Sequence, residues 1–172
     1  MSRTIEIAPE HPREHAAIGA LHCAAFNDTY EAAVVTGLRA GGFAIASLVS
    51  RVDGRVAGHV MFSRMTVLVD GRDVPAAALA PLAVDENWRQ MGLGGKLVEA
   101  GLAMCREADM ACVVVLGDPA YYRRFGFSLQ AMAHLRTPYG PGKLMGLDVV
   151  PGALAGQAGE VRYPAPFGRA QS

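Results

Sequence analysis

The sequence has no excess of either charge and few cysteines, and each of these absences excludes a class of protein. Its 16 Lys and Arg residues are balanced by 16 Asp and Glu residues, so the overall charge does not favour binding to nucleic acid or an anionic membrane. The three cysteines, Cys23, Cys105 and Cys112, are far apart and form neither a CxxC pair nor a zinc-binding spacing. We therefore expect no structural metal and no nucleic-acid partner.

The sequence also lacks the segments that carry proteins into or across membranes. No apolar run approaches the roughly 20 residues that a membrane-spanning helix needs. The first residues, MSRTIEIAPEHPREH, contain no apolar core of the kind found in secretory signals. We expect a soluble cytoplasmic protein with reduced cysteines and no membrane partner.

What the sequence does have is the size and composition of one well-packed domain: 172 residues, 51% of them apolar. Local patterns in its first half predict a strand at residues 3–9 and helices at residues 11–26 and 30–39. Two antiparallel strands are predicted on either side of the turn at Asp53–Gly54. In the first helix, one face is predicted to carry Ala16, Ala17, Ala20, Leu21, Ala24 and Ala25. A second turn is expected at Asp70–Gly71.

The middle of the chain predicts a strand–helix–strand unit with parallel strands. Residues 77–84 form the first strand, and the helix that follows extends to about Ala108. The run ACVVVLGD has the continuous apolar character of a strand buried on both faces. A loop is expected at residues 133–143 and a last strand at 144–150. The prediction is a single mixed α/β domain over residues 1–150, with an extension at 151–172 that packs on the same domain.

A glycine-rich turn, RQMGLGGK, connects this strand to its helix and fits three templates unequally. A P-loop would need glycine where Gln90 stands and Ser or Thr where Leu97 stands. A dinucleotide-binding fingerprint would also need glycine at Leu97. The third template, Q/R-x-x-G-x-G/A, is matched at all three specified positions from Arg89 to Gly94.

With the preceding strand LAPLAV and the later segment VLGDPAYYRRFGF, this turn resembles the GCN5-related N-acetyltransferase (GNAT) superfamily, and in particular its YhbS-like branch. The resemblance covers nearly the whole chain. It implies the GNAT fold, whose mixed, largely antiparallel sheet has two splayed parallel strands at its centre. It also implies the transfer of an acetyl group from acetyl-CoA to a primary amine, without a metal.

The resemblance assigns the cofactor-binding residues to two neighbouring segments. The pantetheine arm would bond to the strand backbone, and the pyrophosphate would bind at the glycine turn. Those two sets are Leu82, Ala83 and Val84, and Arg89, Gln90, Met91, Gly92, Leu93, Gly94 and Gly95. Helix geometry supports the pyrophosphate assignment, because the first N–H groups of a helix lack intrahelical partners and attract anions. The alternative is that the glycines only let the turn fit and the helix pack on the sheet.

Tyr122 is the catalytic residue that the resemblance implies, because it stands four residues before Gly126 in the family pattern Y-x-x-x-G-F. A phenol is protonated at neutral pH and can donate to the departing thiolate. The alternatives are that Tyr122 only contacts the cofactor, or that its neighbour Tyr121 takes its place. Asp118 is assigned to cofactor binding, or else it caps the helix that opens at Pro119.

The sequence does not identify the general base or the acceptor. The candidate bases are Glu31, His59, Asp85 and Asp118, and a chain of water molecules can serve instead. Further candidates for cofactor contact or for the acceptor pocket are Trp88, Lys96, Arg123, Arg124, Tyr139, Tyr163 and Phe167. The acceptor is expected to be a small amine or a peptide, and the protein a monomer or homodimer. The competing hypothesis is a non-catalytic acyl-CoA-binding sensor with the same fold.

Overall fold

The structure is a computed structural model that describes residues 2–171, and for residues 169–171 only the backbone. Four α-helices and eight strands alternate with short 3-10 turns in the described chain. The helices are α1 (His15–Phe26), α2 (Tyr30–Ala40), α3 (Leu93–Glu107) and α4 (Pro119–Tyr122). The strands are β1 (Ile5–Pro9), β2 (Ala44–Val52), β3 (Arg55–Val69), β4 (Arg72–Val84), β5 (Cys112–Leu116), β6 (Leu135–Arg136), β7 (Leu144–Asp148) and β8 (Gly159–Arg162).

One mixed sheet joins all eight strands, with the main order β1-β2-β3-β4-β5-β7. Neighbours along this path are antiparallel except for β4 and β5, which are parallel, as the strand–helix–strand pattern predicts. Helices α1 and α2 cover one face through apolar residues that include Ile18 and Val34. Helix α3 covers the other face through Leu97 and Val98. The predicted mixed α/β fold is confirmed.

The two parallel strands separate before β4 ends. Strand β4 pairs with β5 only from Ala76 to Leu79, whereas it stays paired with β3 as far as Val84. A register shift in the β3–β4 ladder, between Val60 and Phe62, lies beside the point of separation. The result is a gap between the end of β4 and β5, as predicted for splayed central strands.

In α1 the buried residues are Ile18, Leu21 and His22, whereas most of the alanines of the predicted face are exposed, because larger side chains remove more apolar surface from water. Three predictions about individual elements are wrong. Strand β4 begins at Arg72 rather than at residue 77. Strand β7 is not the last strand, and the predicted loop at residues 133–143 contains the short strand β6.

The missed strand β8 pairs with β3 and is aligned by the turn between β3 and β4. The Asp70 carboxylate accepts hydrogen bonds from the backbone N–H groups of Gln157 and Ala158, each at 3.1 Å. The Asp148 carboxylate accepts two more, from Gly152 and Leu154. These contacts hold residues 152–158 beside the β3–β4 turn and the end of β7. The domain division at residue 150 remains a prediction of the sequence.

Two glycines in helices should respond to alanine with opposite signs. A Cβ added to Gly101 in α3 would overlap the ring of Phe62, which is fully buried in β3, whereas a Cβ added to Gly19 in α1 meets nothing within 4 Å. We expect Gly101→Ala to lower the free energy of unfolding by about 1–3 kcal/mol. We expect Gly19→Ala to raise it by roughly 0.5–1 kcal/mol.

Urea unfolding of both variants, with the wild type as reference, measures these changes in the free energy of unfolding. An unchanged slope m of that free energy against urea concentration shows that the unfolded states are comparable. A Gly101→Ala variant as stable as the wild type would show that α3 does not pack as closely on β3 as described.

Candidate active site

The glycine-rich turn between β4 and α3 contains two residues with positive φ. After Val84, a short 3-10 turn at Glu86–Trp88 is capped by the Asp85 carboxylate, which accepts from the Asn87 N–H at 2.9 Å. Gln90 (φ 66°) and Gly92 (φ 73°) then adopt left-handed conformations, which glycine enters without steric cost. Helix α3 begins directly after the second of these.

The start of α3 has the features that favour an anion. No side chain caps this end of the helix, and its first turn contains no acidic residue. The Lys96 N–H bonds to the Gly92 carbonyl at 3.1 Å, which leaves the preceding N–H groups of Leu93, Gly94 and Gly95 without an intrahelical partner. These donors and the helix macrodipole both favour negative charge.

A cleft of about 550 Å³ opens in front of these N–H groups. It is lined by Leu82, Val84, Trp88, Arg89, Gln90, Gly92, Leu93, Gly94, Gly95, Tyr121 and Arg124. The Tyr121 hydroxyl lies 2.8 Å from the position that a Cβ on Gly94 would take. The Arg124 guanidinium lies over the Tyr121 ring, 4.4 Å from its centroid, and adds positive charge at the cleft.

Most of the residues predicted to bind the cofactor therefore line one cleft, and a few do not. The Ala83 side chain is buried in the sheet, and Met91 is exposed outside the cleft. Asp118 caps α4 by accepting from the Ala120 N–H at 3.0 Å, which matches the alternative role considered for it. Tyr122 lies in an adjoining cavity.

Of the basic residues considered for cofactor contact, some line the cleft and others do not. Arg89 and Arg124 line the cleft, whereas Lys96 and Arg123 are not part of its lining. Trp88 lines the cleft as well, and the Arg3 guanidinium lies 4.7 Å from the centre of its ring. Two arginines therefore complement the free N–H groups of α3.

The adjoining cavity has a volume of about 270 Å³ and shares Leu82 with the cleft. Its lining consists of Phe26, Tyr30, Glu31, Val34, Leu79, Ala80, Pro81, Leu82, Leu116, Tyr122, Tyr139, Tyr163 and Phe167. We call this cavity the aromatic pocket. It lies where β4 and β5 have separated, and it contains all three late aromatic residues that were predicted to shape an acceptor site.

Tyr122 is held in the aromatic pocket by close packing. Its side chain is 9% exposed, and its ring packs edge-on against Phe127 with 5.8 Å between the ring centroids. Burial, and then the neighbouring Tyr121, raises the pKa of Tyr122 to about 12. The phenol is therefore a proton donor throughout the neutral range.

Gly117 makes room for this ring, and sequence reasoning missed it. A Cβ at Gly117 would overlap the Tyr122 ring, so a larger residue at the end of β5 would displace the tyrosine. The signal was present in the sequence, because a glycine that follows a buried strand directly often marks a close approach.

The four candidate bases are in very different surroundings. Asp85 and Asp118 cap helical turns. His59 is fully buried in β3, where its two ring nitrogens lie 2.8 Å from His22 Nε2 and 2.8 Å from Ser47 Oγ. Glu31 lines the aromatic pocket, and its Oε2 atom is buried without a hydrogen-bond partner. Of the four, Glu31 is the candidate that shares a cavity with Tyr122.

The buried pair His22 and His59, of which His22 was not anticipated, should make stability depend on pH. Burial, and then His59, lowers the pKa of His22 to about 3, and burial lowers the pKa of His59 despite the opposing Glu10 carboxylate. Unfolded histidines take up protons near pH 6.5 and these folded ones do not, so the stability is complete above that pH and is lost as the pH falls. Between pH 7 and pH 5 we expect His22 alone to account for a loss of about 2 kcal/mol.

Urea unfolding at pH 7 and pH 5 measures this loss. The His22→Leu variant should show a smaller difference between the two pH values, whereas His11→Asn, at an exposed position, should keep the wild-type difference. The interval from pH 5 to pH 7 lies above the pH values at which folded carboxylates such as Glu10 take up protons. Equal unfolding free energies at pH 5 and pH 7 would contradict the buried neutral pair.

A membrane span needs a long apolar helix, and a metal site needs several ligands that converge. No helix within residues 2–171 is long and apolar enough to cross a membrane. Nor does any group of three or more His, Cys, Asp or Glu side chains come together in the described part of the chain as a metal site would require.

Comparisons with known proteins agree on one family. The family model described as "Acetyltransferase (GNAT) domain" matches residues 6–130. The uncharacterized N-acetyltransferase YhbS of Escherichia coli strain K12 is 42% identical over 167 residues, which is 95% of this chain and 98% of that protein.

Two solved structures extend the likeness to three dimensions. The GNAT family N-acetyltransferase YhbS from Escherichia coli, in complex with CoA, superposes with a TM-score of 0.87 at 39% identity, over 98% of this chain and 94% of that one. A GNAT family acetyltransferase from Brucella melitensis, in complex with acetyl-CoA, gives a TM-score of 0.78 at 34% identity, over 95% and 98% of the two chains.

Proposed function

Because the chain belongs to the GNAT acetyltransferase family, we propose that it transfers an acetyl group from acetyl-CoA to a primary amine by direct attack in a ternary complex. The observation that carries the proposal is the meeting of two cavities at Leu82. One contains the free N–H groups of α3 and the other contains Tyr122. A cofactor that is anionic at one end and reactive at the other fits this arrangement.

The pyrophosphate of acetyl-CoA would bind at the start of α3, where the N–H groups of Leu93, Gly94 and Gly95 have no intrahelical partner. Arg89 and Arg124 line the same cleft and would neutralise the remaining phosphate charge. Two relatives of the chain bind CoA or acetyl-CoA in their solved structures, which supports this choice of cofactor.

The pantetheine arm would extend along the end of β4. Beyond Leu79 this strand has no ladder with β5, so the backbone groups on that side are available to the amides of the arm. These backbone groups extend from Val84, in the cleft, to Leu82, which lines both the cleft and the aromatic pocket. The thioester would then lie beside Tyr122.

The reaction needs one acid and one proton acceptor. The neutral amine nitrogen attacks the thioester carbonyl, a C–N bond forms, and the C–S bond breaks with its electron pair on sulfur. Tyr122 gives its phenolic proton to the thiolate, which leaves as free CoA. The nitrogen, which is positively charged once the C–N bond has formed, releases its extra proton, and that proton returns through water to the Tyr122 phenolate. The proton that the acceptor ammonium loses would pass through Glu31 to solvent.

The other expectations from the sequence stay predictions. These are the cytoplasmic location, the absence of a metal, and a monomer or homodimer as the oligomeric state.

Initial rates of thiol release, with acetyl-CoA and an amine both varied, test the proposed function. Direct attack in a ternary complex predicts amine-dependent release and double-reciprocal lines that intersect. Parallel lines would indicate an acetylated enzyme instead. Binding of acetyl-CoA without thiol release from any amine would support the competing hypothesis of a non-catalytic sensor.

A further inference from the structure

We propose that the aromatic pocket selects a primary alkylammonium attached to a small apolar or aromatic body, and that Glu31 holds the ammonium. This inference rests on the proposed function, because it treats the aromatic pocket as the acceptor site. It names the chemical class of the acceptor, which the family likeness leaves open.

Charge is the first argument. Among the described residues that line the aromatic pocket, Glu31 is the one with a formally charged side chain. Its Oε2 atom is buried and has no hydrogen-bond partner. Buried polar atoms are nearly always paired, so this oxygen calls for a donor from the ligand. An ammonium supplies both the donor and the opposite charge.

The walls are the second argument. Six aromatic side chains contribute to the lining: Phe26, Tyr30, Tyr122, Tyr139, Tyr163 and Phe167. Tyr139 packs edge to face against Tyr163, with ring centroids 5.7 Å apart, and Tyr163 packs in the same way against Phe167, with centroids 5.0 Å apart. The Tyr30 hydroxyl donates to the Phe167 carbonyl at 2.6 Å, which fixes α2 against the last turn. Rigid aromatic walls favour an apolar body and a cation over a polar chain.

The described lining of the aromatic pocket has no side chain of positive charge. Burial raises the pKa of both Tyr139 and Tyr163, so these phenols stay uncharged. No Lys, Arg or His is among the described residues of the lining. An acceptor that carries a carboxylate beside its amine would bring that charge into the aromatic pocket unpaired. The volume of about 270 Å³ suits a single ring with a short chain.

Two matched amines test the specificity. 2-Phenylethylamine and L-phenylalanine differ only by the carboxylate, and ethanolamine has the amine without an apolar body. We expect kcat/KM for 2-phenylethylamine to exceed that for L-phenylalanine by about 50-fold or more and that for ethanolamine by about tenfold. Equal use of 2-phenylethylamine and L-phenylalanine would overturn the inference and leave the proposed function intact.

The variant Glu31→Gln tests the role of the carboxylate at constant size. We expect KM for 2-phenylethylamine to rise about 20-fold or more, with the Kd for acetyl-CoA unchanged. The control Glu99→Gln removes a carboxylate from the exposed side of α3 and should change neither constant. A Glu31→Gln variant with a reduced kcat and an unchanged KM would overturn the binding role.

A binding measurement separates this inference from the proposed function. NMR titration of the CoA-loaded protein with 2-phenylethylamine needs no turnover. Saturable binding that Glu31→Gln weakens supports the inference even if no amine is acetylated, in which case the proposed function alone fails. Absence of saturable binding, or binding that is equally strong in Glu31→Gln, overturns the inference.

Discussion

The variant Tyr122→Phe should lower kcat about 100-fold or more and leave the Kd for acetyl-CoA within about twofold of the wild type. The phenol is buried in the aromatic pocket and its raised pKa keeps it protonated, so its loss removes the acid that the departing thiolate needs. The ring itself, which packs on Phe127 and beside Gly117, is retained. Steady-state kinetics and calorimetry on the same preparations give both constants.

The neighbouring variant Tyr121→Phe provides the contrast. The Tyr121 hydroxyl lies against Gly94 in the cleft, so its loss should act on the affinity for acetyl-CoA rather than on kcat. If Tyr121→Phe lost more kcat than Tyr122→Phe, the two tyrosines would have to exchange roles. Wild-type kcat in Tyr122→Phe would remove the acid from the mechanism.

The variant Gly95→Asp should weaken acetyl-CoA binding about 30-fold or more without lowering the free energy of unfolding. An aspartate in the first turn of a helix interacts favourably with the macrodipole, and the nearest atoms to a Cβ at Gly95 are 3.8 Å away. The same carboxylate would occupy the anion site and repel the pyrophosphate. Stability and cofactor affinity should therefore respond differently to a single substitution.

The isosteric variant Gly95→Asn separates charge from size. It adds nearly the same volume without the negative charge, so we expect it to weaken binding by less than about fivefold. Equal losses in the Asp and Asn variants would point to a steric effect. Unchanged affinity in Gly95→Asp would show that the pyrophosphate does not bind at the start of α3.

The glycine turn, the central strands and helix α3 could be predicted because their signals are local. Gly92 adopts a left-handed conformation that glycine enters without strain, and the continuous apolar run of β5 marks a strand covered on both faces. The start of β4 was less clear, because Arg72, Asp73 and Pro75 are atypical of a central strand.

The C-terminal part of the chain could not be predicted in detail, because long-range contacts determine it. Strand β8 depends on the Asp70 carboxylate, which accepts hydrogen bonds from the N–H groups of Gln157 and Ala158. These two residues lie 87 and 88 positions after Asp70 in the chain. The same holds for the buried His22–His59 pair, whose members are 37 residues apart. Neither pattern leaves a periodic trace in the sequence.

The candidate site was only partly predictable for a related reason. Tyr121 and Tyr122 are adjacent in sequence, yet α4 directs one into the cleft and the other into the aromatic pocket, since successive residues of a helix point about 100° apart. Glu31 was one of four candidate bases in the sequence, and the fold places it in one cavity with Tyr122 and the late aromatic residues.

Transfer of a labelled acetyl group tests the central claim most directly. The purified protein is incubated with trideuterioacetyl-CoA and 2-phenylethylamine together with a panel of other primary amines, and the amine products are identified by mass spectrometry. The account predicts that at least one amine acquires the labelled acetyl group in an amount equal to the free CoA released, and that Tyr122→Phe slows its formation. Tight binding of acetyl-CoA with no labelled amide from any amine would contradict it.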